Sequence, residues 1–338
     1  MIDIRTFTIV NFKVLVRCFT YNQSKYIEDA INGFVMQKTN FPFVCLVMDD
    51  CSTDGEQGVI KAWMDRECDM EKAEYFEDDT TNGFFVRHNT NENCFFAVYF
   101  LKQNLYQEKE RKNAYVNPWR EHCEYEALCE GDDYWIDENK LQKQVGVLAR
   151  FPNVDMCVHS SLLNKGGIIS GKNQIYKTDC YINIKKVIKG GGGIVPTNSI
   201  MFRLNKHMIE IPPFRQIFSF DYTLQIHGAM RTALYYMNEP MSVYRVLAEG
   251  SWSQRMGRNP TAAIRWNDRI ISSLCVLNED TKMVYNKVIQ ERIKLYQLDN
   301  IIIRKEYKRI FSIDYFCIFM NKPPREILHV IKNIILHK

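Results

Sequence analysis

Short apolar segments alternate with amphipathic segments through the first half of the chain, a pattern that predicts strands alternating with helices. Residues 13–19 predict a buried strand, and residues 43–48 are an almost unbroken apolar run, as expected for a strand whose two faces are both covered. Between them, apolar side chains recur at helical spacing from about Ser24, a residue type that favours the N-cap position. Strand, helix and strand in this order predict a right-handed βαβ unit.

The same reasoning assigns elements to the middle of the chain. It predicts a short helix over 57–64, a polar surface segment over 65–82, a strand over 84–87, a helix over 93–105, a loop or insertion over 108–120 and a strand over 125–129. It then predicts a helix capped by Asp137 and ended by Phe151-Pro152, a strand over 154–158, a loop over 164–180, strands over 200–203, 233–236 and 241–244, and a helix that begins near Asp221. Alternation of this kind predicts an α/β fold, with a mixed, mainly parallel sheet flanked by helices.

From about residue 260 the pattern changes to long helical stretches in which Ile, Leu and Val alternate with Lys and Arg. We therefore predict one α/β domain over residues 1–255 and a basic helical extension over residues 256–338. The last segment, residues 310–338, is basic and amphipathic. Such a tail fits either a contact with an anionic membrane surface or helices that pack on the domain or on a partner.

Composition narrows the class of protein. The 338 residues are 46% hydrophobic, which is enough for one sizeable core. A net charge of +4 arises from 44 basic and 40 acidic residues, a balance that argues against a dedicated nucleic-acid binder. The 11 cysteines include no CxxC pair, and the N-terminus lacks the features of a signal peptide. We expect reduced thiols, no membrane-spanning segment and a cytoplasmic location.

Carboxylates follow two of the predicted strands. Residues 130–133, Glu-Gly-Asp-Asp, come directly after the strand over 125–129, and residues 49–54, Asp-Asp-Cys-Ser-Thr-Asp, follow an earlier one. Carboxylate oxygens suit Mg²⁺ or Mn²⁺, which keep open positions for phosphate oxygens. The alternative is that Asp132 and Asp133 only cap a helix or form a turn. Two strands that each end in carboxylates favour an open α/β sheet that binds its ligand beyond the strand ends.

A run of four glycines, Gly190 to Gly193, interrupts the second half of the chain. Glycine permits positive φ and close backbone approach, so this run is either a mobile loop over a ligand or a flexible linker. It is not a phosphate-binding P-loop, because no Gly-Lys-Ser/Thr follows it.

The order of these motifs resembles that of the family 2 glycosyltransferases with a GT-A (Rossmann-like) fold. The resemblance runs from Phe19-Thr20-Tyr21-Asn22 through residues 48–55 and 129–135 to Met241-Ser242-Val243-Tyr244-Arg245-Val246. It covers residues 12–255, roughly three quarters of the chain. It implies an inverting, metal-dependent hexosyltransferase that uses a nucleotide-diphosphate sugar, with a UDP-sugar as the leading donor and Mn²⁺ or Mg²⁺ as the cofactor.

The resemblance also implies roles for individual residues. Thr20 and Tyr21, followed by Asn22, match positions that line the nucleobase pocket, and Asp50 matches the carboxylate that hydrogen-bonds the base. The implied nucleotide-sugar site is completed by Glu130 and Asp132, which stand where the family has its DxD motif.

In the same resemblance, Asp133 is the leading metal ligand and Asp132 meets the ribose or the metal. Asp221 stands where the family keeps its catalytic base. Two departures are visible. Leu247 occupies a position where many relatives have a histidine. The family's basic nucleotide contact has two candidates here, Arg87 and Lys102, and the sequence does not choose between them.

The activity implied is sugar transfer to a glycan or a lipid-linked saccharide in the synthesis of a surface polysaccharide such as capsule or O-antigen. The expected partners are the donor and this acceptor, without nucleic acid, and with peripheral contact to the inner face of the membrane through the basic tail. The alternatives are a non-catalytic nucleotide-sugar-binding or scaffold protein on the same fold, and a Mg²⁺-dependent phosphohydrolase, for which no nucleophile motif is present.

Overall fold

The computed structural model describes residues 11–106 and 109–336. In these residues the strands are β1 (Val14–Thr20), β2 (Phe43–Asp49), β3 (Glu74–Glu77), β4 (Thr81–Arg87), β5 (Cys94–Leu101), β6 (Tyr125–Leu128), β7 (Tyr134–Trp135), β8 (Met156–Lys165), β9 (Ile168–Asn173), β10 (Cys180–Ile182), β11 (Met201–Arg203) and β12 (Leu234–Arg245). The N-terminal residues predicted to lack a signal peptide, up to residue 10, and the last two residues of the predicted tail lie outside the described residues.

The helices come between and after these strands. They are α1 (Ile27–Val35), α2 (Glu56–Glu67), α3 (Lys109–Arg120), α4 (Lys140–Arg150), α5 (Ile184–Gly190), α6 (Lys206–Ile209), α7 (Pro213–Ile217), α8 (Asp221–Met230), α9 (Trp252–Gly257), α10 (Pro260–Asp280), α11 (Asn286–Ile303), α12 (Phe316–Met320) and α13 (Pro324–Leu336). In the part of the chain that the structure describes, no helix is both long and apolar enough to cross a membrane.

The strands form one mixed sheet in the order β10-β12-β8-β11-β6-β1-β2-β5-β4-β3, with β7 paired to β12 and β9 paired to β8. Its centre, β6-β1-β2-β5, is parallel throughout. β1 and β2 pair in register from Val14 opposite Phe43 to Thr20 opposite Asp49, with α1 between them in sequence. The predicted α/β fold with a flanked sheet is therefore confirmed, as is the parallel pairing of the first two strands.

Burial on both faces explains the apolar runs. Along β1, Val14, Val16 and Cys18 belong to one buried cluster, whereas Leu15 belongs to a second cluster on the other face. All seven residues of β2 are buried. Because side chains alternate between the two faces of a strand, a strand covered on both sides takes mostly apolar residues on each face, and Arg17 on β1 is accommodated by its ion pair with Glu126.

Two predictions for the middle of the chain are wrong. Residues 93–105 were predicted to be a helix, but Cys94–Leu101 is β5, which pairs with β2 and β4. A short apolar run has no periodicity that separates a strand from a buried helix, and its aromatic side chains suit a sheet. Residues 108–120 were predicted to be a loop because of Asn117-Pro118, but Lys109–Arg120 is α3 with Pro118 inside it.

Other differences concern boundaries. Ser24 is not the N-cap of α1, because the helix begins at Ile27 and the Ser24 backbone N–H instead donates to Asp54 Oδ2 at 2.9 Å. Similarly, α4 has Asn139 at its N-cap, and Asp137 Oδ1 accepts from the Asn139 N–H. The two strands predicted over 233–236 and 241–244 are one strand, β12, with register shifts around Pro240. The predicted surface segment contains β3, and the predicted loop over 164–180 contains β9.

The chain folds into two compact units. The first contains the sheet and comprises the described residues up to Ile184, together with Gly193–Glu210 and His227–Gln254. The second comprises Lys185–Gly192, Ile211–Ile226 and the described residues from Arg255 onward. Within the second unit, Leu298, Ile301, Ile310, Phe319 and Val330 form a buried apolar cluster.

Candidate functional site

The loops that follow β1, β2 and β6 are joined by hydrogen bonds in the first unit. The Asp50 N–H donates to the Thr20 carbonyl at 3.0 Å, and the Gly131 N–H donates to the Phe19 carbonyl at 3.3 Å. The Asn22 N–H donates to Ser52 Oγ at 2.8 Å. Because β6, β1 and β2 are parallel neighbours, their carboxyl ends share one edge of the sheet. The structure therefore brings the two acidic segments and the segment after β1 together.

Gly131 allows the acidic loop to lie directly on Thr20. A Cβ atom at position 131 would lie 2.2 Å from Thr20 Oγ1 and 2.5 Å from Gln23 Oε1, so a side chain would push the two loops apart. Thr20 itself is buried, and its hydroxyl contacts Gln23 Oε1 at 2.9 Å and the Glu56 carboxylate. Tyr21 and Asn22, the other residues predicted for this pocket, are half-buried. The glycine of the Glu-Gly-Asp-Asp motif is thus explained by close packing.

Glu56 is a residue of this edge that the sequence analysis missed. It begins α2, is completely buried, and accepts hydrogen bonds from the Gln23 N–H and from Ser52 Oγ, both at 2.9 Å. Burial raises the pKa of its carboxyl. In sequence, Glu56 is an ordinary acidic residue in the first turn of a helix, so no local signal distinguishes it.

Asp50 is held by an ion pair that the sequence analysis also missed. Its Oδ2 lies 2.6 Å from Lys112 Nζ, and its Oδ1 accepts from the Leu105 N–H at 2.6 Å. Both side chains of the ion pair are largely buried, with 4% of Asp50 and 11% of Lys112 exposed. Lys112 lies on α3, the helix that was predicted to be a loop.

Two basic residues, Lys102 and Arg87, were predicted from the sequence as candidates for the nucleotide contact. Lys102 Nζ binds Glu77 at 2.8 Å and the Asp78 carbonyl at 2.7 Å, and Arg87 is exposed at the end of β4. Lys112 is therefore a third basic candidate, and it lies directly beside Asp50.

The three carboxylates of the acidic loop after β6 differ in their exposure to solvent. Glu130 is exposed, whereas Asp132 and Asp133 are buried. The Asp133 N–H donates to the Glu130 carbonyl at 3.1 Å, so these residues form a turn. The next helix, α4, begins only at Lys140. The alternative that the two aspartates cap a helix is therefore excluded, and a turn is present.

Each oxygen of Asp133 accepts a hydrogen bond from a distant part of the chain. The Arg245 backbone N–H donates to Oδ1 at 2.8 Å, and Asn198 Nδ2 donates to Oδ2 at 3.0 Å. Arg245 also donates through Nη1 to the Asp132 carbonyl at 2.7 Å and forms an ion pair with Asp29. These contacts fix the acidic loop against the end of β12.

Asn198 connects the loop to two further residues. Its Oδ1 accepts from Ser242 Oγ at 2.8 Å, and its carbonyl accepts from Trp135 Nε1 at 3.0 Å. Asn198 is completely buried. Sequence reasoning did not find it, because a polar residue after a glycine run is typical of an ordinary loop.

Two buried carboxylates side by side are suited to a divalent cation. Burial raises the pKa of the Asp133 carboxyl well above its usual range, and the negative charge of Asp132 raises it further. In the described ranges, no three His, Cys, Asp or Glu side chains are grouped as a metal site. A cation held by Asp132 and Asp133 would therefore take its other oxygens from water and phosphate, which is how Mg²⁺ is commonly bound.

Backbone strain is found in the loops at this edge of the sheet. Asn22 (φ 55°), Cys51 (φ 64°) and Leu247 (φ 55°) adopt the left-handed conformation, which non-glycine residues rarely adopt. They follow β1, β2 and β12 respectively. Strain of this kind costs about 1–3 kcal/mol per residue and is concentrated at functional sites. Leu247, the position where relatives often have histidine, has an exposed side chain.

A buried lysine lies close to the acidic loop. Lys140 Nζ donates to Gln144 Oε1 at 2.7 Å and lies 3.9 Å from the centre of the Trp135 ring. Burial lowers the pKa of Lys140 to about 7. In the unfolded chain its pKa is about 10.4, so between these two values the unfolded state binds more protons and stability rises with pH.

We therefore expect Lys140→Met to remove a pH-dependent part of stability. From about pH 7 to 8.5, the free energy of unfolding of the wild type should rise relative to that of the variant by about 1.4 kcal/mol per pH unit. Urea unfolding of both proteins across this range measures the difference. Lys143→Met is the matched control, because Lys143 is paired with Asp137 and Glu239 and its pKa is raised. Parallel pH profiles for Lys140→Met and wild type would contradict the prediction.

Asp221 belongs to the second unit, where it is the first residue of α8 and is half-buried.

The glycine run and the residues before it make contacts within the second unit. The Tyr222 hydroxyl donates to the Ile188 carbonyl at 2.6 Å. In the same unit, the Tyr296 hydroxyl donates to the Gly191 carbonyl at 3.2 Å. A Cβ atom at Gly191 would lie 1.9 Å from Arg292 Nη2. The first part of the glycine run therefore contacts Tyr296 and Arg292.

Comparison with solved structures identifies the fold. The structure of TarS residues 1–349 from Staphylococcus aureus in complex with UDP-GlcNAc matches with a TM-score of 0.55 and 13% identity, covering 94% of this chain and 79% of that chain. The mannosyltransferase PcManGT from Pyrobaculum calidifontis, in complex with GDP-Man and Mn²⁺, matches with a TM-score of 0.50 and 13% identity, covering 92% of this chain and 79% of that chain. The chain has a glycosyltransferase fold.

Comparison of sequences alone is less specific. No family model matches the chain. Uncharacterised proteins of Mycobacterium bovis and Mycobacterium tuberculosis are each 27% identical to it over 234 residues, or 69% of this chain. The chain spans 58% of the length of these curated relatives.

Proposed function

We propose that this protein is a metal-dependent, inverting glycosyltransferase of the family 2 type, with a UDP-sugar as its leading donor. The observation that carries the proposal is the convergence of Thr20, Asp50 and Asp132 at one edge of the sheet. The fold is shared with proteins whose structures contain UDP-GlcNAc or GDP-Man. In open α/β folds this edge is where ligands bind.

Each residue of the proposed nucleotide-sugar site has a specific role. Thr20, Tyr21 and Asn22 line the nucleobase pocket. Asp50 accepts a hydrogen bond from an N–H group of the nucleobase, and Lys112 is the counter-ion of Asp50. Glu130, at the exposed start of the acidic loop, completes the nucleotide-sugar site.

Asp132 and Asp133 would hold Mn²⁺ or Mg²⁺, which when bound would neutralise the charge of the diphosphate leaving group. Arg245 and Asn198 orient Asp133 by their hydrogen bonds to its carboxylate. Each carboxylate oxygen of Asp133 accepts one of these bonds, so a cation would use the remaining lone pairs.

Asp221 acts as the general base. It takes the proton of the acceptor hydroxyl while the acceptor oxygen attacks the anomeric carbon and the bond to the diphosphate breaks on the opposite face. A single displacement of this kind inverts the anomeric centre and needs no covalent intermediate.

The acceptor we propose is a hydroxyl of a glycan or a lipid-linked saccharide in the synthesis of a surface polysaccharide. The site of action is the cytoplasm, at the inner face of the cell membrane. A non-catalytic nucleotide-sugar-binding protein is the second candidate. It is favoured by two departures from the family pattern, Leu247 where many relatives have a histidine and Glu130 where the DxD motif has its first aspartate.

A binding screen tests the donor class directly. Thermal unfolding would be followed with UDP, GDP, CMP, dTDP, UDP-glucose, UDP-galactose and UDP-N-acetylglucosamine, each with Mn²⁺ or with EDTA. A metal-dependent rise with one nucleotide supports the proposal, and release of the nucleoside diphosphate on addition of saccharide acceptors separates an enzyme from a binding protein. No shift with any nucleotide would overturn it.

We expect Asp132→Asn to weaken donor binding in the presence of Mn²⁺ by at least about 10-fold, because one of two charged ligands is lost and even loss of a group that only orients a ligand costs about 10- to 100-fold. Asp132 is a better probe than Asp133, since an amide at 133 would direct an N–H group at the donors Arg245 N–H or Asn198 Nδ2 and disturb the loop itself. Titration calorimetry with the nucleotide found in the screen measures the effect. Asp65→Asn, on the exposed face of α2, is the control. Equal affinities for Asp132→Asn and wild type would refute the metal assignment.

A further inference from the structure

The C-terminal part of the second unit exposes an unusual amount of apolar side chain. Around α12, Phe311, Ile313, Phe316 and Met320 are 58%, 97%, 44% and 51% exposed. On α13, Leu328, Ile331 and Ile335 are 65%, 40% and 67% exposed. Exposed single apolar residues are common, but several within one short segment mark an interaction surface. Of these residues, we call the three on α13, Leu328, Ile331 and Ile335, the apolar surface.

Helix α13 has two apolar faces, and only one of them is used for folding. Val330 is buried in the cluster of the second unit, and Ile327 and Ile334 pack against that cluster. These three residues recur at helical spacing and form the inner face. Leu328, Ile331 and Ile335 recur at the same spacing on a second, outward face. Folding of the second unit therefore accounts for the first face and leaves the second unexplained.

Basic residues are interleaved with the outward apolar face. Arg325, Leu328, Lys332 and Ile335 follow one another at steps of three, four and three residues, so they form one row along the helix. Arg325 and Lys332 are both exposed. A row in which basic and apolar side chains alternate presents charge and apolar surface to the same partner.

The acidic residues of this part of the chain are already paired. Residues 304–336 contain seven Lys or Arg and three Asp or Glu. The three acids form ion pairs within the second unit: Glu306 with Arg309, Asp314 with Lys294, and Glu326 with Lys322. The surface therefore presents net positive charge beside its apolar side chains.

We propose that the apolar surface, with Arg325 and Lys332, docks on a membrane that contains anionic lipids. Apolar side chains at the headgroup boundary, flanked by Lys and Arg that meet lipid phosphates, are the arrangement by which an amphipathic helix lies in the plane of a membrane. A second copy of this chain is disfavoured, because a symmetric contact would bring the same positive row against itself. The proposal stands on the second unit alone and does not depend on sugar transfer.

Vesicle binding by the full chain tests the proposal. Binding to phosphatidylcholine vesicles that contain phosphatidylglycerol is expected to be strong, to fall with added salt, and to be weak for phosphatidylcholine alone. The double variant Leu328→Gln with Ile335→Gln should bind the anionic vesicles about ten-fold more weakly or worse. Glutamine favours helix as well as leucine does and both sites are exposed, so the fold is retained.

A matched control separates this surface from exposed apolar residues in general. Met283→Gln with Val284→Gln changes two residues that are 58% and 67% exposed in the same unit but lie in the turn between α10 and α11. This control should bind vesicles as the wild type does. Equal vesicle binding by both double variants, or no binding by the wild type, would overturn the proposal. So would a wild-type dimer in sedimentation velocity that Leu328→Gln with Ile335→Gln converts to a monomer, because the surface would then be an interface between copies.

Discussion

Replacing Asp221 with asparagine is expected to lower the rate of sugar transfer about 10²- to 10⁴-fold while leaving donor affinity unchanged. Asparagine has nearly the same shape as aspartate but cannot take a proton from the acceptor hydroxyl. Asp221 is the first residue of α8, so losing its charge at the positive end of the helix should cost only about 0.3–1 kcal/mol of stability.

Two measurements on the same protein check the role of Asp221. Nucleoside diphosphate released in the presence of acceptor gives the rate, and calorimetric titration of the donor gives its affinity. Asp65→Asn, an exposed carboxylate on α2, controls for the loss of one charge. An unchanged kcat for Asp221→Asn would show that another group removes the proton. A loss of donor affinity together with the loss of rate would show that Asp221 contributes to donor binding.

Replacing Glu126 with glutamine is expected to lower the free energy of unfolding by about 3–5 kcal/mol, because it removes one partner of a buried ion network. Glu126 lies on β6 with its side chain completely buried. Arg17 Nε on β1 donates to its Oε1 at 2.6 Å, and Arg120 Nε on α3 donates to its Oε2 at 2.7 Å. Glutamine keeps the shape but leaves two largely buried guanidinium groups without a counter-charge.

The pH dependence of this effect follows from the pKa of Glu126. Burial alone would raise that pKa, but the charges of Arg120 and Arg17 outweigh it and lower the pKa to about 2. In the unfolded chain a glutamate has a pKa of about 4.3, so the stabilisation is present above that pH and is lost as the pH falls towards about 2. Urea unfolding of wild type and Glu126→Gln should therefore differ most near neutral pH and converge in acid.

A second glutamate provides the control for burial. Glu124 forms an ion pair with Lys13 at 2.7 Å, with 60% and 33% of the two side chains exposed. Exposed ion pairs contribute about 0–1 kcal/mol, so Glu124→Gln should change stability little. If both substitutions had equal effects, burial would not be what makes the Glu126 network important.

Sequence patterns predicted the structure correctly where the pattern lies within a single strand or helix. The apolar runs of β1 and β2 and the helix between them were found because their spacing is a local property. The same holds for the acidic residues that follow β2 and β6, since strand ends are marked by residues that strands disfavour. Periodicity failed at β5, where burial on both faces removed the alternation that distinguishes a strand.

Contacts between residues far apart in the chain left no such pattern in the sequence. Asp133 accepts hydrogen bonds from Asn198 and Arg245, which are 65 and 112 residues away in sequence. The Asp50–Lys112 pair joins residues 62 apart, and the Thr20–Glu56 contact joins residues 36 apart. A lysine or asparagine in a polar segment looks the same whether it is solvated or buried against a carboxylate, so these partners could not be predicted.

Local patterns in the sequence were enough to predict that strands and helices alternate, that two strands end in carboxylates, and that basic amphipathic helices follow from about residue 260. The tertiary structure alone decided that the carboxylate loops share an edge, that Asp133 is oriented from β12, and that α13 keeps one apolar face outside the core. The reason is physical: the period of a helix or strand and the chemistry of a turn are fixed within a few residues. Burial and charge pairing depend on which distant segments the sheet order brings together.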